Sequence, residues 1–383
     1  MQKITRLGMA VATALAAAAV CAPSVPAAAH GGGDGHHREG HHAVFVQTDN
    51  PAGNQIVAYR RAANGRLTQA RTYDTNGLGG VLDGSVADHL ASQGSLTYDP
   101  HHALLYAVNA GSDTVSVFSV DGDRLKLRQV IGSGGRFPVS VAVHEDNVYV
   151  LNALDGGSIQ GYTVHRGLLH EQPRRHRALG LDPNATPQFT NTPGQVGFTG
   201  DGSQLVVTTK ANGSSLLVFN LDRSGAPAHS PVVTNLPGAV PFAFVPNGRH
   251  GLFLAEAGTN AVATFTVHRD GTASQEAFAA TGQSATCWIV AARSLLYASN
   301  AGSSTLSGFR AFDHGRRLTP LGNTPTDPGT VDAATTPDGH YLYVQTGING
   351  IVDEFAVRHD GSLTPLGSRT VPGGIGGEGI VAP

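Results

Sequence analysis

The sequence predicts an all-β fold: a seven-bladed β-propeller of four-stranded antiparallel blades, with the C-terminal strand closing the first blade. Three observations predict it. One strand pattern recurs seven times, Asn-Gly or Asp-Gly turns follow several of the copies, and each end of the chain carries a strand with no blade of its own.

The recurring unit is an aliphatic–aromatic or aliphatic pair, then two residues, then a polar residue. It reads Val44-Phe45-Val46-Gln47-Thr48, Leu105-Tyr106-Ala107-Val108-Asn109, Val148-Tyr149-Val150-Leu151-Asn152 and Leu205-Val206-Val207-Thr208-Thr209. It returns as Leu252-Phe253-Leu254-Ala255-Glu256, Leu296-Tyr297-Ala298-Ser299-Asn300 and Leu342-Tyr343-Val344-Gln345-Thr346. A turn precedes most copies, as in Thr336-Pro337-Asp338-Gly339. A period-2 segment follows, as in Thr114 to Val120. Then comes Asn64-Gly65, Asp121-Gly122, Asp270-Gly271 or Asp360-Gly361, dipeptides that tolerate the positive φ of tight hairpins, and a fourth strand. Four strands in about 45 residues make one propeller blade. A blade cannot bury both faces alone, whereas seven in a ring bury a continuous core. The first copy has no strand upstream of it, and the strand in residues 377–383 has no blade after it. The two are expected to pair and close the ring. Outside the N-terminal segment no sustained 3.6-residue apolar period argues for helices.

Successive copies lie 61, 43, 57, 47, 44 and 46 residues apart. The two long intervals place insertions at 74–94 and 171–193. Long loops on a rigid scaffold are where binding groups concentrate, although they also serve as surface decoration.

Three domains of sequence follow. Residues 1–29 read as a signal peptide: Lys3 and Arg6 precede an apolar run, and Ala27-Ala28-Ala29 supplies a small-residue cleavage site. Residues 30–42 form a His/Gly-rich segment, and 43–383 form the propeller. The chain is therefore expected to be secreted, with no lipid anchor and no membrane span. Its net charge of −3 and 14% charged residues argue against nucleic acid, which a basic surface must bind. Cys287 is the single cysteine left after cleavage, so no internal disulfide is expected. It reads as a small buried hydrophobe beside Trp288. A monomer is expected.

The seven copies, with Tyr106-Ala107-Val108-Asn109-Ala110-Gly111 and Thr336-Pro337-Asp338-Gly339, resemble the bacterial lactonase-type seven-bladed propellers. That family includes 6-phosphogluconolactonases and relatives of the carboxymuconate-lactonizing enzyme. The resemblance covers residues 43–383. It implies a hydrolase acting on a lactone or related ring ester. Active members carry a His-Pro-His turn before one inner strand and an Arg-His pair before the next. The counterparts here are Thr192-Pro193-Gly194-Gln195 and Val240-Pro241-Phe242-Ala243, which lack those groups. Glu256 sits near a family acidic position and is carried over as a catalytic candidate.

The residues themselves nominate further candidates. Inner strands are expected to start near Ser95, Ser140, Gln195, Phe242, Cys287, Asp332 and Glu378, where their preceding loops converge on the axis. Asp332 and Glu378 are the catalytic carboxylate candidates, since two carboxylates near one axis raise at least one pKa. Gln195 is a ligand-binding candidate, and Asp88 and His89 overhang from the first insertion. The same polar groups would equally satisfy backbone amides and trapped water. His30, His36, His37, His41 and His42 lie on a glycine-rich chain that can bind Zn, Cu or Ni weakly, and no cofactor is required. His101 and His102 read as surface turn residues. Two functions stay open: an exported lactonase-like enzyme, or a non-catalytic secreted propeller that binds a small molecule, a glycan or a protein.

Overall fold

A computed structural model describes residues 42–383; residues 1–29, expected to be a signal peptide, and His30, His36, His37 and His41 lie outside them. Seven antiparallel sheets follow one another along the chain. Blade 1 contains Ala43–Gln47, Gln55–Arg61 and Leu67–Asp74. Its innermost strand is Ile380–Val381, which pairs Phe45 with Val381 and Val46 with Ile380. The C-terminal strand therefore closes the first blade, as the unpaired ends of the sequence required. Blade 2 runs from Leu96–Asp99 to Arg124–Gly132, and blade 3 from Pro138–His144 to Leu168–Glu171. Arg177–Ala178, from the second insertion, adds a fifth strand to blade 3. Blades 4 to 7 begin with the inner strands Gln195–Phe198, Pro241–Asn247, Thr286–Ala292 and Thr330–Thr335.

The recurring motif is the second strand of each blade, and its aromatic residue faces a neighbouring blade. Tyr149, Tyr297 and Tyr343 are buried, and each phenol donates to a glycine carbonyl in the next blade's hairpin. The acceptors are Gly225, Gly361 and Gly65 at 2.6, 2.9 and 2.7 Å. The Tyr343–Gly65 bond joins blade 7 to blade 1. Burying these rings supplies hydrophobic area, and the hydroxyl fixes blade against blade. The hairpin glycines adopt positive φ (84° at Gly65, 90° at Gly361), which explains the Asn-Gly and Asp-Gly signals.

The inner strands are irregular at their starts. Register shifts fall between Pro138 and Ser140, Pro241 and Ala243, Thr286 and Trp288, and Thr330 and Ala333. Each is a bulge that bends the strand and turns an extra side chain. Phe242 and Cys287 are two of these extra residues, and both face the cavity described next.

Candidate functional site

The first insertion does not decorate the surface. Its last residues cross the ring. The Trp288 Nε1–H of blade 6 donates to the Ser92 carbonyl at 2.5 Å, and Ser92 Oγ donates to the Val139 carbonyl of blade 3 at 2.9 Å. Gln93 Nε2 donates to the Ile289 carbonyl and its Oε1 accepts the Ile289 N–H, both at 3.0 Å. Gln93 N–H donates to the Gly194 carbonyl of blade 4, and Gly94 N–H to Glu378 Oε1 of blade 1. A segment that touches blades 1, 3, 4 and 6 together must lie on the axis. Residues 92–94 therefore plug the channel.

The two insertions are joined above this plug. Phe189 N–H donates to the Asp83 carbonyl at 3.1 Å, and Asp83 N–H to Gln188 Oε1 at 3.0 Å. Blade 7 presses on the other side: a Cβ at Gly347 would stand 1.6 Å from the Ala87 carbonyl, so this approach requires glycine. Beneath lies a cavity of about 800 Å³. Its walls are largely apolar, formed by Val86, Ala87, Phe189, Val240, Phe242, Ala257, Ala285, Ala301, Trp288 and Ile348. Phe242 and Trp288 stack with ring centroids 4.9 Å apart. Val240 and Lys210 hold left-handed φ of 50° and 53°, strain that non-glycine residues keep only where their surroundings impose it.

Among the lining residues only Asp88 and Lys210 carry a charge. Both are buried, at 5% and 1% exposure. Asp88 Oδ1 accepts the Leu90 N–H at 2.7 Å and Oδ2 the Ser92 N–H at 2.9 Å. Burial raises its pKa to about 6 against those hydrogen bonds. Lys210 Nζ donates to the carbonyls of Ala91 and Phe189, both at 2.6 Å, and to Thr192 Oγ1 at 3.2 Å. Burial lowers its pKa to about 7, with the Asp88 charge opposing. Its ammonium stands 5.2 Å from the Phe242 ring centroid, within cation–π range. Burial pushes the Cys287 thiol up to about 12, so it faces the cavity as a neutral, unreactive group.

Behind Asp88 lies a cluster of buried carboxylates. Asp49 Oδ2 accepts the Glu378 N–H at 2.7 Å, and Asp332 Oδ2 accepts the Ile380 N–H at 3.3 Å. Asp332 and Glu378 lie close enough for each to act on the other's protonation. Burial raises Asp49 to about 8 and Asp332 to about 7. Burial first, then the charge of Asp332, raises Glu378 well above the ordinary carboxylate range.

The structure thus brings Asp332 and Glu378 together at the ring closure, but neither lines the cavity. Glu378 is tied to Gly94 N–H and to Ser92 Oγ. Glu256 accepts from Thr259 Oγ1 at 2.8 Å within its own turn, away from the lining. Gln195 Oε1 accepts the Phe244 N–H at 2.6 Å, a bond between inner strands. His89 is partly buried, donates its backbone N–H to the Gly376 carbonyl and packs its ring against Gly376, and it too stands outside the lining. Asp88 alone of these candidates faces the cavity. Lys210, Phe189, Phe242 and Trp288 were not nominated by sequence reasoning. Lys210 had a signal: the residue after the polar end of each second strand is Ala110, Ala153, Ala257, Ala301 or Gly347 in five blades, and Asp49 and Lys210 in the other two.

No curated protein matches the chain in sequence. Solved structures share its fold. A protein of Bacteroides fragilis, provisionally assigned as a 6-phosphogluconolactonase, superposes with TM-score 0.71 at 18% identity, covering 91% of this chain and 99% of that one. A periplasmic gluconolactonase of Pseudomonas aeruginosa, PpgL, gives 0.69 at 17% identity over 88% and 98%. Virginiamycin B lyase of Staphylococcus aureus gives 0.52 at 12% identity over 74% and 85%. The family model described as "Lactonase, 7-bladed beta-propeller" matches residues 79–375, most of the chain. With its seven blades, closing strand and matched repeats, the chain belongs to the seven-bladed β-propeller lactonase family.

Proposed function

We propose that this lactonase-type propeller is an exported hydrolase of an uncharged, largely apolar lactone or ring ester, bound in the cavity beneath the two insertions. One observation carries the reading: the apolar walls converge on a single carboxylate, Asp88, held near neutrality beside one ammonium. A cavity of this size and composition suits a small apolar ring. It offers no arginine or histidine to a phosphate. Asp88 accepts backbone N–H groups on both oxygens and keeps a lone pair free for a water. As general base it takes a proton from that water as the water oxygen adds to the ester carbonyl. The Lys210 ammonium favours the negative charge on the carbonyl oxygen through its field. The ring C–O bond then breaks, and Asp88 returns the proton to the leaving oxygen. The export is read from residues 1–29, and the histidines of residues 30–42 are proposed to add weak divalent-metal affinity.

A second reading is non-catalytic binding of the same ligand class. It is favoured by the commitment of the cavity's ammonium and rim amides to the protein itself. All three Lys210 protons are spent on Ala91, Phe189 and Thr192. The Ala257, Gly258, Ala301 and Gly302 N–H groups at the rim are bonded to protein carbonyls.

A hydrolysis screen over uncharged γ- and δ-lactones separates the two. Under the enzyme reading, kcat/KM rises with pH as Asp88 ionises near pH 6, because only the carboxylate accepts the water proton, and falls above about 7 as the Lys210 ammonium is lost. Asp88→Asn lowers it by about 100-fold or more and removes that rise. Full activity in Asp88→Asn refutes the base. Binding without turnover supports the second reading.

A further inference from the structure

The face of the ring opposite the cavity carries a cluster that the lactone chemistry does not use. The cavity lies where second strands end; this cluster lies where they begin. His101 and His102 occupy the turn before Leu104–Asn109 of blade 2, and Asp146 the turn before Asn147–Asn152 of blade 3. Their candidate ligand atoms all lie within 4.8 Å of one another.

The turn is built to aim His102. Asp99, 1% exposed at its side chain, takes the His101 and His102 backbone N–H groups on Oδ1. Its Oδ2 faces His102 Nδ1 at 2.8 Å and accepts the Tyr106 hydroxyl at 3.3 Å. Asp99 therefore commits the Nδ1 proton and fixes the ring. The other nitrogen, Nε2, then points at Asp146 Oδ1, 3.0 Å away. With Nδ1–H committed, Nε2 holds a lone pair, and the Asp146 carboxylate also offers only lone pairs. Two acceptors this close require a positive charge between them: a second ring proton or a metal ion. Carboxylate–His–metal geometry uses the same arrangement, a buried carboxylate orienting the ring and its far nitrogen coordinating. The 3.0 Å between His102 Nε2 and Asp146 Oδ1 suits an ion, and His101, within 4.8 Å of both, joins it by a side-chain rotation. Ligands at about 2.0–2.2 Å from a metal stand roughly 3 Å apart from each other.

We propose that His101, His102 and Asp146 form a surface site for a borderline transition metal of the Zn²⁺ class, oriented by Asp99. Two imidazoles and one carboxylate match that class better than they match calcium or magnesium, which take oxygen ligands. Three protein ligands leave at least one position open to water or to a further donor. Blades 4 and 5 carry a looser His–Asp pair in the corresponding turns, with the partners exchanged: His250 Nε2 of blade 5 lies 3.6 Å from Asp201 Oδ2 of blade 4. There no second histidine joins, and no three-ligand group forms among the described residues. The blade 2–blade 3 cluster is thus more than the repeat demands.

The test is Zn²⁺ titration against a chromophoric chelator. It uses the full chain with His30, His36, His37, His41 and His42 changed to alanine, so that the N-terminal histidines contribute nothing. One Zn²⁺ per chain is expected, and Zn²⁺ should raise Tm. Asp146→Asn and His102→Gln should each weaken Zn²⁺ binding by at least about 10-fold. Asp146 is 68% exposed, so its substitution leaves the fold intact and keeps the test decisive. Co²⁺ in the same variant should give visible absorption bands that Asp146→Asn alters. No Zn²⁺ binding in the variant lacking the N-terminal histidines overturns the proposal. So does Zn²⁺ binding that both substitutions leave unchanged; the His102–Asp146 contact is then an inter-blade ion pair alone.

Discussion

Deleting residues 377–383 is expected to abolish the cooperative unfolding transition or to lower Tm by more than about 10 °C. The segment contributes the innermost strand of blade 1. Ile380 packs with Val44, Val46, Tyr59, Tyr343 and Val371, and its burial alone stabilises by about 1.5–3 kcal/mol. Hydrogen bonds go with it, among them Gln47 N–H to the Gly379 carbonyl, Gly94 N–H to Glu378 Oε1, Ser92 Oγ to Glu378 Oε2, Ser95 Oγ to the Glu378 carbonyl, and the Glu378 and Ile380 N–H groups to Asp49 and Asp332. Each is worth about 1 kcal/mol net, more where a buried partner is left unsatisfied. Together these losses rival the whole stability of a typical domain, about 5–15 kcal/mol. The deletion also uncovers a strand edge at the ring seam. Differential scanning calorimetry of the truncated chain checks this. An unchanged Tm means that the ring is held by blade-to-blade packing alone.

The second large effect is expected at Lys210. Lys210→Met removes the one ammonium under the plug. The Ala91 and Phe189 carbonyls lose their donor, and buried Asp88 loses the positive charge that acts on it. Removing one partner of a buried charged group costs about 3–5 kcal/mol. The cost should depend on pH. Without Lys210, Asp88 must take up a proton to stay buried, so its pKa rises further above about 6. An acid whose folded pKa is raised above its unfolded value keeps that stability at low pH and loses it as pH rises through the folded pKa. The variant should therefore be least stable relative to the parent at pH 8 and closer to it at pH 5. Urea unfolding at the two pH values measures this. A loss under about 1 kcal/mol at pH 8 would falsify the role given to Lys210.

The blades were legible because propeller repeats are read by position. Tyr149, Tyr297 and Tyr343 recur at one register, and the hairpin glycines sit where positive φ is needed. The ring closure was legible because an unpaired strand at each end leaves few other partners. The two insertions were legible as spacing, and Asp88 as a residue within one of them. The cavity was less so. Its aromatic floor depends on bulges that turn Phe242 and Cys287 inward, and bulges leave no periodic trace in a strand sequence. Asp332 and Glu378 lie near each other at the ring closure, but outside the cavity they were expected to line. Residues 92–94 then fill the space in front of them, which no strand pattern reveals. Lys210 was readable only by aligning the blades column by column, where it replaces the alanine or glycine that five other blades carry. His101 and His102 read as a solvated turn because their partner, Asp146, comes from the neighbouring blade.

The central claim is that the cavity takes an uncharged, apolar ring rather than a phosphorylated one. Trp288 is the chain's single tryptophan and lines that cavity, so its fluorescence reports occupancy without a label. Titration with an alkyl-substituted δ-lactone should change the Trp288 emission saturably, and Phe242→Ala should weaken the apparent affinity by about 10-fold or more. Titration with 6-phosphogluconolactone should leave the emission unchanged. A saturable response to the phosphorylated lactone, with none to the apolar one, would contradict the account.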